Sequence, residues 1–333
     1  MSLLYVNEDG AVIGLEANRC MIKYKDGLKR SIPIESLEGV TILGKSQVTT
    51  VCMEEFLKRG ITVSYFSKGG NYFGRVQSTG HVNTARQRKQ CQLYDTEFAL
   101  ELGKRILSAK VKNQSVVLRR YERSKGADAA EEQKMLTICR NKMSGCKSIA
   151  ELMGYEGQAA KYYFAGLEKC IEPEFAFHGR SKRPPMDEFN SMMSLGYSIL
   201  MNEVYCKIEM KGLNPYFGFI HRDAEKHPTL ASDLMEEWRA VIVDATVMSM
   251  INGHEIHKDD FIFDYENPGC YLTKNGLKIY LNKLERKFQT EVKYLSYVEY
   301  AVSFRRAIFL QMEQLARAIE CEKASIYEPI IIR

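Results

Sequence analysis

The sequence lacks any apolar run long enough to cross a bilayer, because no stretch approaches the roughly eighteen consecutive apolar residues that a transmembrane helix needs. Its first residues, MSLLYVNEDG, also lack the basic segment, the long apolar segment and the cleavage site of a signal peptide. Both absences argue against a membrane or exported protein, and we expect a cytoplasmic location.

Paired cysteine motifs are missing as well. The nine cysteines are scattered between Cys20 and Cys321, and no CxxC pair occurs among them. This spacing argues against a zinc ribbon or a disulfide framework and predicts reduced thiols that mostly pack in the core. Internal repeats and low-complexity tracts are also absent, so a repeat architecture is not expected.

The charge of the chain is small but unevenly distributed. The 333 residues carry a net charge of +5, with 45% hydrophobic and 27% charged residues, a composition typical of soluble globular proteins. Between Arg86 and Lys125, eleven Lys and Arg face only four acids, so this segment carries +7 and the remainder −2. Such a basic segment favours contact with phosphate groups, although a solvated helix face gives the same count.

The pattern of apolar residues changes along the chain. In the first part, short apolar segments alternate with turn pairs such as Asp9-Gly10 and Asp26-Gly27, and only residues 48–59 are typical of a helix. From about Asp95 onward the periodicity is helical, with breaks near Gly126 and at residues 180–185, 212–228 and 252–269. We therefore predict an α+β protein: a β-sandwich-like N-terminal domain over residues 1–85, a linker over 86–94 and an all-α domain over 95–333.

Three places in the helical part carry unusual polarity. Glu156 lies in a helical stretch between Gly154 and Gly157, and a glycine inside a helix costs about 1 kcal/mol relative to alanine. Close approach of a ligand or another backbone would explain the glycines, whereas tight helix packing with Glu156 in solvent is the alternative. His221 ends the apolar segment 214–220, and a lone histidine there is more often a core or surface residue than a ligand.

The third place is the helix predicted to begin near Thr229 or Ser232. Its apolar stripe repeats every four residues, and Asp233, Glu236 and Glu237 lie on another face at i, i+3 and i+4. Either these acids form a solvated face relieved by Arg239, or a cation neutralises them. Carboxylates with one imidazole suit Mn²⁺ or Mg²⁺, and such a site supports phosphodiester chemistry. The spacing of these residues in the sequence does not show that Glu156 lies near His221.

Several segments together resemble one known family, the CRISPR-associated endonuclease and integrase called CRISPR-associated protein one. Their order and separation agree with that family across nearly the whole chain, while none is specific alone. The matching segments are residues 154–160, 183–190 with Gly196-Tyr197, 212–221, 230–239 and 260–273.

This resemblance implies a catalytic helical domain, an N-terminal domain that forms a homodimer, and a complex with a small companion, CRISPR-associated protein two. It places the metal ligands for Mn²⁺ or Mg²⁺ on Glu156, His221 and Glu236, with Asp233 as an acidic catalytic position beside the metal. It also implies that the 3′-hydroxyl of a captured double-stranded DNA attacks a phosphodiester at the CRISPR repeat.

Candidate DNA contacts follow from the basic segment and the double-proline motif: Arg86, Arg88, Arg180, Arg183 and Asn190. For the last two, a structural helix start with Pro in its first turn is the alternative. Two other functions remain open at this point: a stand-alone metal-dependent nuclease that uses water as nucleophile, and a DNA-binding scaffold without a metal site.

Overall fold

The computed structural model describes residues 2–181, 184–264 and 268–333, and the chain forms two compact units, Met1–Val82 and Asn83–Arg333. The sequence predicted the domain boundary at residue 85, close to the observed division between Val82 and Asn83. Most of residues 86–94, the expected linker, belong to the first helix of the second unit. The assignment of dimerisation to the first unit stays a prediction.

The first unit contains two four-stranded sheets and one helix. Its elements are β1 (Ser2–Val6), β2 (Val12–Glu16), β3 (Arg19–Lys23), β4 (Lys29–Pro33), β5 (Leu37–Leu43), β6 (Gln47–Val48), α1 (Thr50–Lys58), β7 (Thr62–Phe66) and β8 (Tyr72–Val76). One sheet has the order β1-β5-β7-β8 and the other β4-β3-β2-β6. Gly10 and Gly27 adopt positive φ angles of 77° and 86°, as the predicted turn pairs require.

One hydrophobic core joins both sheets and α1. Ile13 and Ile22 come from one sheet, Val40 and Val63 from the other, and Phe56 from the helix, and all five are buried. Burial of each such side chain stabilises the fold by roughly 1.5–3 kcal/mol. The β-sandwich-like N-terminal domain predicted from the sequence is therefore confirmed.

The central strand β5 was missed by the sequence analysis, whose short apolar segments were residues 3–6, 11–15, 21–24, 61–66 and 72–76. Six of its seven residues are buried, because β5 pairs in parallel with β1 on one side and β7 on the other. A strand buried on both faces is usually marked by a continuous apolar run, but Glu38, Gly39 and Thr41 interrupt the apolar residues of β5, so this signal was absent.

The second unit is mostly helical, as predicted. Its elements are α2 (Thr84–Gln92), α3 (Glu97–Lys125), α4 (Ala130–Met143), α5 (Ile149–Lys169), α6 (Glu188–Met210), α7 (Thr229–Trp238), a π-helical turn (Arg239–Asp244), α8 (Ala245–Asn252), β9 (Phe261–Asp264), β10 (Gly269–Leu272), α9 (Lys274–Gln289), β11 (Glu291–Val292), β12 (Val302–Ser303) and α10 (Phe304–Cys321). Two short antiparallel pairs, β9 with β10 and β11 with β12, add a little strand structure.

Helix α3 is the longest element and packs against α4, α5 and α7. It ends at Lys125, and Gly126 caps it with a left-handed φ of 65°, so the break predicted there agrees with the structure. Across the described ranges, no helix combines the length and apolar character that a membrane span requires.

Candidate metal centre

Glu156 lies on α5, which begins where the Ser148 side chain accepts a hydrogen bond from the amide of Glu151. The Glu156 side chain is only 15% exposed and accepts a hydrogen bond from Lys110 of α3, so the alternative that placed it in solvent is wrong. A Cβ atom added at Gly154 or Gly157 would meet no atom within 4 Å. Close packing of another backbone is therefore not the reason for these glycines.

His221 ends a loop that is held against the first turns of α7. The Asp233 carboxylate accepts hydrogen bonds from the amides of Phe219 at 2.6 Å, Ile220 at 3.0 Å and His221 at 3.0 Å. A Cβ at Gly218 would lie 2.8 Å from Asp233 Oδ2, so this approach requires glycine. The loop geometry thus depends on one buried carboxylate.

The same carboxylate orients the imidazole ring. His221 Nδ1 lies 2.6 Å from Asp233 Oδ1, which leaves Nε2 as the ring nitrogen available to a ligand. Burial lowers the pKa of His221, but the hydrogen bond to Asp233 and the charges of Asp233 and Glu236 outweigh it, and the net shift is upward. Both oxygens of the fully buried Asp233 are occupied, so this residue positions His221 and offers no free oxygen to a metal.

The three acids of α7 do not form a solvated face. Asp233, Glu236 and Glu237 are all buried, so the alternative of a solvated face is wrong. Each carboxylate has its own partners, because the helix turns them toward different neighbours. The fold therefore does not need a cation to relieve mutual repulsion among all three acids.

Glu237 is directed away from Glu236, toward residues 327–330. It accepts hydrogen bonds from the Tyr327 hydroxyl, from Gln311 Nε2 at 2.9 Å and from the amide of Ile330 at 2.7 Å. Burial raises the pKa of Glu237 to about 7, although these hydrogen bonds act in the opposite direction. Glu237 thus belongs to the core behind α7.

Glu236 lies between two cations. Its Oε1 atom lies 3.0 Å from Arg239 Nη2, and its Oε2 atom lies 2.5 Å from the Lys110 ammonium. Burial raises the pKa of Glu236, but the charges of Arg239 and Lys110 lower it by more, and the resulting pKa is about 2. Glu236 is therefore ionised at every physiological pH. The contact with Lys110 is an ion pair without hydrogen-bond geometry, so Oε2 has no hydrogen-bond partner among the described residues.

A cleft of about 560 Å³ brings the three predicted metal ligands together, since Glu156, His221 and Glu236 all line it. Lys110 and Gln114 line the same cleft and were not predicted. Their signal in the sequence is a four-residue repeat on α3, in which two polar residues continue a buried stripe: Leu102, Ile106, Lys110 and Gln114.

The donor set fits a hard divalent cation, since it offers two carboxylates and one imidazole nitrogen. Over residues 2–181, 184–264 and 268–333, however, no three His, Cys, Asp or Glu side chains are grouped closely enough to hold a metal ion. The Lys110 ammonium contacts both carboxylates and acts as their cation. The predicted ligand set stays a prediction.

The predicted DNA contacts near the double-proline motif differ in their surroundings. Arg180 lines the same cleft and lies over the rings of Phe164 and Tyr197, at 5.7 and 5.3 Å from their centroids. Asn190 is fully buried and bonds to Asp187, the N-cap of α6, so a structural role replaces the expected DNA contact. Arg183 lies outside the described residues.

Much of the basic segment is neutralised inside the protein. Arg86 donates to Glu320 and to the Lys211 carbonyl, so this predicted DNA contact is already engaged, whereas Arg88 on the same helix is exposed. Other cations of the segment form ion pairs with nearby or distant acids: Lys89 with Glu322, Lys104 with Glu101, Lys110 with Glu156 and Glu236, and Lys125 with Glu172. The charge count of the segment therefore overstates its attraction for phosphate.

Known proteins share both the sequence and the fold. A curated CRISPR-associated endonuclease Cas1 from Mycobacterium tuberculosis is 36% identical over 321 residues, which cover 96% of this chain and 94% of the relative. A solved Cas6-RT-Cas1--Cas2 complex matches 98% of this chain and 36% of the solved chain, with a TM-score of 0.83 and 25% identity. A casposase bound to integration product has the same fold, with a TM-score of 0.85, 24% identity and coverage of 100% and 96%. Residues 4–286 match the family described as CRISPR associated protein Cas1, and the chain therefore belongs to the Cas1 family.

Proposed function

We propose that this protein is a DNA integrase of CRISPR adaptation, which inserts a captured DNA duplex into the CRISPR array with the help of Mn²⁺ or Mg²⁺. The observation that carries the proposal is the single cleft that Glu156, His221 and Glu236 line, although they come from three separate segments. Membership of the Cas1 family supports it, since a curated relative is named an endonuclease.

Glu156, Glu236 and His221 Nε2 would hold the divalent cation. Such a cation, when bound, lowers the pKa of a hydroxyl and stabilises the charge that develops on a phosphodiester during attack. Asp233 keeps the ring in place through Nδ1, and a cation at Nε2 would replace the proton that the Asp233 and Glu236 charges favour on His221. The reaction exchanges one phosphodiester for another, so it needs no external energy source.

The walls of the cleft suit a DNA backbone. Arg180 and Arg239 line it and carry fixed positive charge, and Lys161 lines it as well. Guanidinium groups bind phosphate through paired donors, which positions a strand without reading its sequence. We propose that the protein forms a homodimer that binds the DNA duplex in a complex with the companion CRISPR-associated protein two. A solved structure similar to this chain is a Cas6-RT-Cas1--Cas2 complex, which supports a companion of this kind.

A strand-transfer assay tests the proposal. Purified protein with Mn²⁺ or Mg²⁺ receives a labelled short duplex with free 3′-hydroxyls and a supercoiled plasmid that carries a CRISPR repeat, with and without the companion protein. We expect label to enter the plasmid only with metal, and Glu156→Ala, His221→Ala and Glu236→Ala to abolish transfer. Glu151→Gln, an exposed carboxylate change on the same helix as Glu156, is the matched control and should transfer normally.

Hydrolysis is the second candidate, because the curated relative is named an endonuclease. If the wild type releases fragments but joins no strands, water is the nucleophile and the protein is a nuclease. If it binds DNA and does neither, with or without the companion, the metal site that we propose is wrong and the scaffold function replaces it.

A further inference from the structure

Lys110 occupies the centre of the proposed metal site. It lies on α3, its side chain is only 7% exposed, and its ammonium group contacts Glu156 Oε1 and Glu236 Oε2 at once. A lysine buried to this degree is stable only when anions surround it. Here the two anions are the carboxylates proposed as metal ligands, so the lysine and a divalent cation compete for the same two oxygens.

Lys110, Arg239, Glu156 and Glu236 form one cluster of ion pairs whose charges balance, counted apart from the Asp233–His221 pair. Lys110 and Arg239 contribute two positive charges, and Glu156 and Glu236 contribute two negative charges. Adding a divalent cation would leave a buried cluster with an excess of two positive charges, and an uncompensated buried charge is strongly unfavourable. Metal binding therefore requires either that Lys110 withdraws or that further anions enter the cleft.

The cleft provides for both events. Gln114 lies one helical turn beyond Lys110, is 3% exposed, and its Oε1 atom has no hydrogen-bond partner within the described part of the chain. Residues at i and i+4 of a helix are neighbours, so this oxygen is an acceptor within reach of a displaced ammonium group. Arg180 and Arg239 on the walls favour an incoming anion, and a DNA phosphate supplies the negative charge that the cluster lacks.

We propose that Lys110 is a resident cation that holds Glu156 and Glu236 in the metal-free protein and makes divalent metal binding depend on the arrival of DNA phosphate. This inference rests on the proposed function, because it takes both carboxylates as metal ligands. By linkage, metal and DNA each increase the affinity of the protein for the other by the same factor. Removing the lysine charge opens the site to metal alone.

The test measures Mn²⁺ binding directly, through the amount of free Mn²⁺ at equilibrium, so it does not rely on activity. Wild type, Lys110→Met, Lys104→Met and Glu156→Gln are titrated without DNA and with a short duplex whose 3′ ends are blocked, and the binding of Mn²⁺ to the duplex alone is subtracted. Lys104→Met is the matched control, since it makes the same change on the same helix at a lysine paired with Glu101 outside the cleft.

We expect DNA to tighten Mn²⁺ binding to wild type and to Lys104→Met by about tenfold or more, a coupling in the usual allosteric range. Lys110→Met should bind Mn²⁺ without DNA about tenfold more tightly than wild type, and DNA should add little. If Lys110→Met does not fold, the wild-type titrations still test the inference. Equal Mn²⁺ affinity of the wild type with and without DNA overturns it.

The outcomes separate this inference from the proposed function. One outcome is that wild type and Lys110→Met bind Mn²⁺ equally, while Glu156→Gln weakens Mn²⁺ binding both with and without DNA. In that case Lys110 is not the controlling cation, but the metal site stands. If Glu156→Gln leaves Mn²⁺ binding unchanged, or no protein binds Mn²⁺ even with DNA, the ligand set itself is wrong. That result overturns the proposed ligand set and this inference together, whereas the strand-transfer assay of the wild type decides the proposed function separately.

Discussion

At the scale of single residues, Asp233 holds both the loop that ends at His221 and the His221 ring. It accepts three backbone hydrogen bonds and fixes His221 Nδ1, while it remains fully buried. A carboxylate behind a metal-binding histidine sets the ring orientation and raises its strength as a ligand. Asp233 thus controls His221 without a free oxygen of its own.

We predict that Asp233→Asn lowers both Mn²⁺ affinity and strand transfer by about 10–100-fold, the usual cost of losing such a supporting group. The amide keeps the volume but replaces one accepting oxygen with a donor, which faces backbone N–H groups. Equilibrium binding of a DNA duplex in the absence of metal should not change. Normal Mn²⁺ affinity in the variant would contradict this role for Asp233.

Glu237 gives a prediction about pH and stability. Its pKa is raised from 4.5 to about 7 in the folded chain, so the folded state holds this proton more tightly than the unfolded state does. The resulting stabilisation is full below about pH 4.5 and is lost as pH rises toward about 7. We expect the urea midpoint of wild type to fall more between about pH 5 and pH 8 than that of Glu237→Gln, which cannot ionise. Parallel losses in both proteins would show that Glu237 does not titrate in this window.

At the scale of elements, α2 positions the loop that carries His221 through hydrogen bonds. Gln90 is 1% exposed; its Nε2 donates to the carbonyls of Asn214 at 2.8 Å and Phe217 at 2.7 Å, and its Oε1 accepts from the Asn214 amide at 2.9 Å. The segment expected to be a linker therefore fixes the start of the loop that leads to His221.

We predict that Gln90→Met leaves the protein folded but lowers strand transfer by about tenfold, because it removes three buried hydrogen bonds that position the loop and small displacements of a catalytic group are costly. The control is Gln92→Met, the same change at an exposed position of α2. The comparison is made at saturating Mn²⁺ and DNA. Equal transfer by Gln90→Met and Gln92→Met would show that α2 does not support the loop.

At the scale of the whole molecule, residues far apart in sequence close the second unit. Asn113 of α3 donates to the carbonyls of Glu237 and Ile330, each at 3.0 Å, and accepts from the amide of Ile332 at 3.0 Å. One buried side chain thus ties α3, α7 and the segment 327–332 together. The core behind the cleft depends on this connection.

Asn113→Ala should destabilise the second unit by about 3 kcal/mol, since each buried backbone group left without a partner costs about 1–3 kcal/mol. Urea unfolding followed by the helical circular dichroism signal measures this loss. Asn141→Ala, an exposed change on α4, should unfold at the wild-type midpoint. A loss below about 1 kcal/mol in Asn113→Ala would mean that water replaces the missing amide.

The sequence by itself determined the local features of the protein. Turn pairs and alternation predicted most strands of the first unit, and helical periodicity predicted the second, because these patterns depend on neighbours within a few residues. The order of motifs predicted the Cas1 family and proposed Glu156, His221 and Glu236, which the structure brings to one cleft.

Tertiary structure decided how charges are paired. The sequence predicted that the basic segment contacts phosphate, yet its cations form ion pairs with distant acids. Arg86 pairs with Glu320, 234 residues away. Lys110 pairs with Glu156 and Glu236, which are 46 and 126 residues away. Likewise, the adjacent acids Glu236 and Glu237 have pKa values of about 2 and about 7. No local pattern encodes these differences, because the energy of a buried charge depends on its partners in space and on its distance from water.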